Sequence, residues 1–320
     1  MRRKKIIVIY KGDDWKKSVP LESAPETRIS FEDWHRRGLK HGVEMFRASI
    51  QWYDSEKNVF KKAWAFRDEK WIKVHTPTKP DVLFDKVMGK RNYELFDWKI
   101  AVSRQVRIFN HPLFRTSVDS KLAQYLLFAD FMPKTFLATD STALRQAINR
   151  VSTRKVVLKP IHGSGGEGIF IGTKKQARRL RIQPPILVQE FIKSTHGIPG
   201  FSKKSEVADL RMIYMNHKFV YALSRVAKKG SLFTNFHQGA HAVIVPQGAI
   251  PKSARALTRK IIKKLSFFPE VNYSLDFIFT NTGKPLLVEM NTTPGFDLLQ
   301  IVGNEKIKEK NFVEFLSAIQ

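Results

Sequence analysis

The stretch 155–172, KVVLKPIHGSGGEGIFIG, constrains the fold of this chain more than any other. Two short β-branched runs, 156–158 and 169–171, flank a loop with four glycines, and this pattern predicts a β-hairpin. Because glycines leave backbone N–H groups free of side chains, the loop could close over an anion such as a nucleotide phosphate. Lys159, at the end of the first run, would bring an ammonium group to the same anion. A flexible hairpin tip with a solvated lysine would explain the same residues.

A second stretch, LLVEMNTTPG at 286–295, favours the functional interpretation. It is typical of the end of a buried strand, and the two-residue period places Glu289 and Asn291 on one face. Asp276 lies in the apolar run 273–279, a poor environment for an unpaired charge, and would be a third oxygen donor from a neighbouring strand. Such donors suit Mg²⁺, which proteins hold with one or two carboxylates and substrate phosphates. Each acid taken singly is explained as well by a structural ion pair.

Composition excludes several classes of protein. The chain has 320 residues with 42% hydrophobic content, enough for two or three packed units and too much for disorder. It has no cysteine, which excludes disulfides, thiolate nucleophiles and cysteine metal sites. The basic N-terminus precedes an apolar run too short for a signal peptide, and no run reaches the roughly 18 residues of a membrane span. We therefore expect a soluble, cytoplasmic protein without a membrane partner.

The formal net charge of +27 requires a reason. Its carriers are spread along the chain, so a single basic tail does not explain it. Three explanations remain open: a polyanionic or acidic-peptide substrate, contact with nucleic acid, or a basic solvated surface. No nucleic-acid recognition motif supports the second explanation.

Helical and strand periodicity predicts an α/β layer for about the first 112 residues, with a first strand at 6–10 and a capped helix that starts at Ser30. A further helix is expected at 117–131, with Leu122 and Leu126 facing the core. Lys121 lies in its first turns, where a cation is unfavourable beside the helix dipole. This position hints at a bound anion, although an ordinary solvated lysine is the simpler explanation.

The apolar run 186–192 predicts a strand that ends in polar residues. A strand end without a partner offers free backbone N–H and C=O groups, the usual way in which an adenine edge is read. Further on, Asp209 and Arg211 share one strand face, and Arg225 lies on the next strand. These three residues form either a structural ion-pair set or the wall of a polar site.

Taken in order, these motifs resemble the ATP-grasp family, and within it the RimK-like glutamate ligases. The resemblance covers about residue 80 to the C-terminus, and the first 80 residues fit only in outline. It implies an α/β chain in which an ATP-grasp fold, two α+β subdomains gripping ATP, follows a small pre-ATP-grasp domain. The implied boundaries are 1–112, 113–188 with the glycine-rich lid, and 189–320 with the metal site. The matching segments are VDSKL, VVLKP, the glycine loop, LVQEFI, ADLRM, TNFHQGA, SLDFIF and VEMNTTPG.

The resemblance also implies a role for each matching residue. Those that would bind ATP are Lys121, Lys159, Gly163, Ser164, Gly165, Gly166, Asp209 near the ribose, and the main chain of Glu190 and Phe191 at the adenine. Arg211 and Arg225 would steady the transferred phosphoryl group and the substrate carboxylate, with Asn235 in the same pocket. Asp276, Glu289 and Asn291 would hold two Mg²⁺ ions, with Mn²⁺ as a substitute.

The implied reaction joins a carboxylate substrate to an amine, an amino acid or peptide of acidic character, through an acyl phosphate. Two alternatives keep the nucleotide site: a kinase for a polyanion such as an inositol phosphate, and a non-catalytic nucleotide-binding protein. Two departures from the family pattern affect substrate choice. Phe233 stands where the resemblance implies an arginine, and the insertion 193–205 is predicted to be a mobile loop beside the nucleotide.

Overall fold

Three β-sheets organise the computed structural model, which describes residues 2–163, 165–203, 205–234 and 239–320. The first sheet has the strand order β6-β5-β2-β1-β7-β8, and its four strands from β2 to β8 are parallel. A two-stranded ribbon, β3 and β4, lies beside it. The strands are β1 (Lys4–Tyr10), β2 (Val43–Ser49), β3 (Tyr53–Asp54), β4 (Val59–Phe60), β5 (Ala63–Arg67), β6 (Lys70–Val74), β7 (Val82–Asp85) and β8 (Arg107–Phe109).

The two other sheets are antiparallel, and they contain the strands of the glycine hairpin and of the predicted metal donors. The second has the order β11-β10-β12-β9, and the third has the order β15-β14-β13-β16-β17. The second contains β9 (Thr135–Ala138), β10 (Lys155–Pro160), β11 (Phe170–Thr173) and β12 (Ile186–Glu190). The third contains β13 (Ala208–Met215), β14 (Lys218–Val226), β15 (His241–Ile244), β16 (Asn272–Phe279) and β17 (Pro285–Asn291).

Helices cover the sheets and connect them. None within the described residues combines the length and apolar character needed to cross a bilayer. They are α1 (Pro25–Lys40), α2 (Lys90–Glu94), α3 (Phe96–Ser103), α4 (Pro112–Val118), α5 (Lys121–Phe128), α6 (Ser141–Arg150), α7 (Lys174–Ala177), α8 (Lys252–Leu265), α9 (Asp297–Val302) and α10 (Glu305–Ala318).

The last helix shares a core with the first sheet. Phe312 and Phe315 of α10 pack with Trp34 of α1 and with Phe84 of β7. The guanidinium of Arg107 donates hydrogen bonds to the carbonyls of residues 318, 319 and 320, at 3.1, 2.7 and 3.0 Å. The predicted first unit and the end of the chain are therefore packed as one layer, while the boundaries at 112 and 188 stay predictions.

Two predicted helices differ from the structure. Helix α1 begins at Pro25, not at Ser30, whose hydroxyl instead donates to the carbonyl of Glu26 at 2.9 Å. Proline at the first helical position supplies a preset φ and has no N–H to leave unpaired, so it outcompetes the downstream serine as a start. The predicted helix at 117–131 is divided into α4 and α5, and Leu126, expected in the core, is 73% exposed.

Candidate functional site

The predicted glycine hairpin is confirmed. Strands β10 and β11 pair from Lys155 with Thr173 to Leu158 with Phe170, and the glycine loop joins them. At Gly168 the backbone φ is +70°, and an added Cβ would lie 2.8 Å from the Pro160 ring. The loop therefore needs glycine here both for its conformation and for space. Gly163, Gly165 and Gly166 also adopt positive φ, and Ser164 lies outside the described residues.

Lys121 connects the glycine loop to the predicted metal site. It is the first residue of α5, whose N-cap Ser120 accepts a hydrogen bond from the N–H of Ala123. The Lys121 ammonium donates to the carbonyl of Gly163 at 2.5 Å and lies 3.2 Å from Oε1 of Glu289. The residue is only 7% exposed, so the unfavourable position at a helix start is held by specific partners rather than by solvent.

Lys159 lies buried near the end of β10, just before the glycine loop. Its ammonium donates to the carbonyl of Val288 at 3.2 Å. Burial lowers the pKa of Lys159 to about 8, although the nearby Glu289 carboxylate opposes that effect. A phosphate group beside this ammonium would stabilise its charged form, so the site favours an anionic ligand.

The predicted metal donors come from two paired strands. Asp276 of β16 lies directly opposite Glu289 of β17, next to a register shift, and Asn291 lies opposite Ser274. The Asp276 carboxylate accepts two hydrogen bonds from Arg211, at 2.8 and 2.7 Å, and one from Arg225 at 2.7 Å. Burial acts to raise the pKa of Asp276, but the two guanidinium groups outweigh it and hold the pKa below its usual value. The carboxylate is therefore kept ionised.

A second carboxylate completes this network. Arg225 donates to Asp209 at 2.9 and 2.5 Å, and the Thr234 hydroxyl donates to the same carboxylate at 2.6 Å. Burial raises the pKa of Asp209, against the effect of Arg225. Asp209 and Arg225 form a buried ion pair that also lines one cavity, whereas Arg211, paired with Asp276, lines another.

Two cavities meet at this network. The smaller, about 140 Å³, lies between the second and third sheets and is lined by Lys159, Glu190, Phe191 and Asp209. The larger, about 630 Å³, extends from Gly165 to the first sheet. Arg225 and Glu289 line both cavities. A ligand in one cavity would therefore meet a ligand in the other at these two side chains.

The main chain predicted for adenine binding is already engaged in part. The N–H of Glu190 donates to the carbonyl of Lys134 at 2.9 Å, and that of Phe191 donates to Oγ1 of Thr153 at 3.2 Å. The expectation of unpartnered N–H groups at this strand end is therefore wrong, because the segment before β9 and the turn before β10 supply acceptors. Contact of an adenine with this segment stays a prediction.

The departures from the family pattern both border the smaller cavity. Phe233 lines it directly. The insertion 193–205 is anchored by Ile198, which is fully buried in the core of the third sheet, whereas the sequence predicts a mobile loop. Asn235 lies outside the described residues.

Several residues that contribute to the candidate site belong to no motif in the sequence. Gln124 bridges α5 and β17, donating to the carbonyl of Met290 at 2.7 Å and accepting from its N–H at 2.9 Å. The sequence offered a signal for Gln124, because a polar residue three positions after Lys121 lies on the same helix face. Thr234, Arg47 and Lys86 carried no comparable signal.

The donor set fits a hard cation that also binds other oxygens. Two carboxylates and one amide, Asp276, Glu289 and Asn291, lie on adjacent strands, and such a set is typical of Mg²⁺ shared with phosphate oxygens. Within the described residues, no group of three or more His, Cys, Asp or Glu side chains is arranged to hold a metal alone.

Comparison with known proteins identifies related sequences. The family model of the RimK-like ATP-grasp domain matches residues 121–310. A probable alpha-L-glutamate ligase of Psychromonas ingrahamii is 29% identical over 191 residues, and the alignment spans 58% of this chain and 57% of that relative. One of Nitrosococcus oceani is 27% identical over 248 residues, 73% of this chain and 76% of the relative. The chain thus covers little more than half of the first relative's length.

A solved structure has the same fold. D-alanyl-alanine synthetase A of Vibrio cholerae superposes with a TM-score of 0.61 at 13% identity, covering 100% of this chain and 99% of that one. The predicted α/β ATP-grasp architecture is therefore confirmed.

Proposed function

The chain belongs to the RimK-like ATP-grasp family, and on that basis we propose that it is an ATP-dependent carboxylate–amine ligase. The observation that carries this proposal is the meeting of two cavities at Arg225 and Glu289. One cavity has the character of a nucleotide site, and the other is large enough for a second substrate. A phosphoryl group at the junction would be within reach of both.

In the proposed reaction, a carboxylate oxygen of one substrate attacks the γ-phosphorus of ATP and ADP departs. The acyl phosphate is then attacked at its carbonyl carbon by the amine of the other substrate. The carbon–oxygen bond to phosphate breaks, the amine loses a proton, and an amide and inorganic phosphate result. This chemistry needs positioning and positive charge rather than a nucleophilic side chain.

The described side chains suit these tasks. Lys121 and Lys159 would bind the phosphates under the glycine loop, and closure of that loop would exclude water from the acyl phosphate. Hydrogen bonds to Asp276 and Asp209 fix the orientation of Arg211 and Arg225. These two arginines would stabilise negative charge on the transferred phosphoryl group. Mg²⁺ held by Asp276, Glu289 and Asn291 would neutralise phosphate charge when bound. We propose two such ions, with Mn²⁺ as a substitute.

We propose acidic amino acids or peptides as substrates. The two matched relatives are named as probable glutamate ligases, and the larger cavity is rich in lysine and arginine. The high positive charge of the chain would then serve an acidic substrate.

Trapping with hydroxylamine tests the acyl phosphate. The protein is incubated with ATP, Mg²⁺ and a panel of acids, and hydroxylamine is added as the amine. We expect a hydroxamate, together with one phosphate per ADP. Formation of ADP and a stable phosphorylated product, without free phosphate, would indicate a kinase instead. Absence of hydroxamate with an acid that stimulates ATP turnover would exclude the proposed intermediate.

A further inference from the structure

The wall of the larger cavity that lies on the first sheet is basic. Only Glu289 and Asp297 are carboxylates among the described residues that line the cavity. The cationic lining residues that come from the first 112 residues are Lys11, Arg47, Lys86, Lys90 and Arg91. Lys11 is paired with Glu94 at 2.7 Å, so the positive charges are not all equally available to a ligand.

Arg47 differs from the other cations of this wall because it is buried and makes no hydrogen bond to the part of the chain that the structure describes. It is 6% exposed, and its Nε–H has no acceptor among the described residues. The carboxylate that faces it, Asp14, lies 3.8 Å from Nη2, beyond hydrogen-bond distance. Asp14 is held by other partners, since its Oδ1 accepts hydrogen bonds from the Tyr10 hydroxyl and, at 3.0 Å, from Nε1 of Trp64, while its Oδ2 is the oxygen that faces Arg47.

Aromatic packing explains how Arg47 is held, but not what it binds. The guanidinium carbon lies 3.6 Å from the centre of the Tyr10 ring and 5.8 Å from that of Phe31. Stacking satisfies the faces of a guanidinium group, whereas its N–H donors lie along the edges. The side chain is therefore fixed in orientation, while its Nε–H has no acceptor among the described residues.

A buried cation without an acceptor is costly, so its retention at the wall of a cavity points to a ligand. Burial lowers the pKa of Arg47, although an arginine keeps its charge at any physiological pH. A carboxylate matches the fork of N–H donors and would supply the missing acceptors.

We propose that Arg47 binds a non-reacting carboxylate of the substrate that occupies the larger cavity. The inference rests on the proposed function, which places a substrate there. Arg47 lines the larger cavity but not the smaller one, so its carboxylate is distinct from the group that receives the phosphoryl group. Arg47 would thereby select acidic substrates from the first sheet.

Direct binding measurements test the assignment without turnover. Calorimetry would compare the dipeptide α-linked diglutamate with diglutamine, at saturating AMP-PNP and Mg²⁺. Wild-type protein should bind diglutamate more tightly. Arg47→Met should weaken diglutamate binding by about ten- to a hundredfold and leave diglutamine binding unchanged. Arg47→Lys, which keeps the charge, should restore part of the affinity.

The control is Arg104→Met, which removes an exposed arginine outside the cavity lining and should change nothing. Binding of AMP-PNP by each variant reports on folding of the nucleotide site, and thermal unfolding reports on the whole chain. If Arg47→Met fails to fold, the affinity of Arg47→Lys for diglutamate relative to diglutamine tests the proposal instead.

Three results would overturn the proposal: no diglutamate binding to the wild-type protein, equal affinity for both dipeptides, or wild-type affinity in Arg47→Met. The hydroxamate assay is independent of these measurements. If hydroxamate forms but Arg47 does not discriminate between the dipeptides, the ligase proposal stands and the Arg47 proposal fails. If Arg47 discriminates but no hydroxamate forms, the carboxylate site stands and the ligase proposal fails.

Discussion

The two cavities differ in how their charges are balanced. In the smaller one, Arg225 is bound by Asp209 and Asp276, and Asp276 also binds Arg211, which lines the larger cavity. In the larger one, Arg47 is buried with its Nε–H unpartnered among the described residues. The first arrangement is complete before a ligand arrives, while the second would be completed by the ligand.

This difference separates chemistry from substrate choice. Preorganised charges suit a step that is the same for every substrate of the family, because no rearrangement is required as negative charge develops. A buried cation with an unpartnered N–H donor suits discrimination, since a substrate that lacks the matching anion leaves that donor without an acceptor. If removing a charge from either set had the same effect on turnover and on substrate discrimination, the two sets would not differ in role.

The largest effect is expected beneath the larger cavity, at Asp85. Its carboxylate accepts from Lys99 at 2.6 Å and faces Arg115 at 3.1 Å, and all three side chains are at most 1% exposed. Asp85→Asn leaves two buried cations facing each other, so unfolding free energy should fall by about 3–5 kcal/mol. Urea denaturation measures it. The exposed Asp130→Asn is the control, and a loss below about 1 kcal/mol would contradict the assignment.

The next effect concerns the balanced set. Asp276→Asn removes the charge that pairs Arg211 and Arg225 and one predicted metal donor. We expect kcat to fall by about 10²–10³-fold, the usual cost of losing one preorganised electrostatic contact. Steady-state ADP release measures it, again beside Asp130→Asn. Unchanged turnover would show that the pairing in the smaller cavity is only structural.

A smaller effect is expected from pH, through Lys86 in the larger cavity. Burial lowers the pKa of this lysine to about 7, and Arg115 acts in the same direction, whereas Asp297 and Asp85 oppose it. As pH rises above that value the ammonium loses its charge. The KM for an acidic substrate should therefore increase by up to about tenfold between about pH 6 and about pH 8.

Lys86→Met tests the origin of that pH dependence. The variant should have a raised KM that is flat over the same range, measured at saturating ATP and Mg²⁺. A neutral substrate analogue serves as the reference, because its KM should not depend on Lys86. A pH profile that persists in Lys86→Met would assign the titration to another group.

The smallest effect should come from the helix cap that positions Lys121. Ser120 accepts a hydrogen bond from the N–H of Ala123 at 3.0 Å, and Ser120→Ala should cost about 1 kcal/mol. The Kd for AMP-PNP should rise a few-fold, since Lys121 follows the cap directly. Calorimetric titration with AMP-PNP measures this, with the exposed Ser55→Ala as control. A larger loss at the acidic substrate than at the nucleotide would contradict it.

Local patterns predicted strands that line the smaller cavity. Glycine positions and β-branched runs specify the β10–β11 hairpin, and the period of two places the oxygen donors Glu289 and Asn291 on one face. The pairing of Asp276 with Glu289 followed because both lie in strands joined by a short turn. Such features depend on neighbours within a few residues of each other.

The larger cavity could not be predicted in this way. Arg47 occurs within a strand that is mostly apolar, and its environment is built by Tyr10, Asp14 and Trp64, which come from separate segments. Likewise, the start of α1 and the division between α4 and α5 depend on competing start signals rather than on periodicity. No single stretch of sequence encodes a cavity wall that several elements form together.

The packing of α10 on the first sheet also has a consequence for synthesis. Phe109 completes the last strand of that sheet, but its packing partner Phe315 is made about 200 residues later. At a typical elongation rate of 5–20 residues per second, the delay is roughly 10–40 s. During that interval the newly made sheet exposes an apolar face on the ribosome. The wall that holds Arg47 is thus among the first segments translated, yet one of the last to be finished.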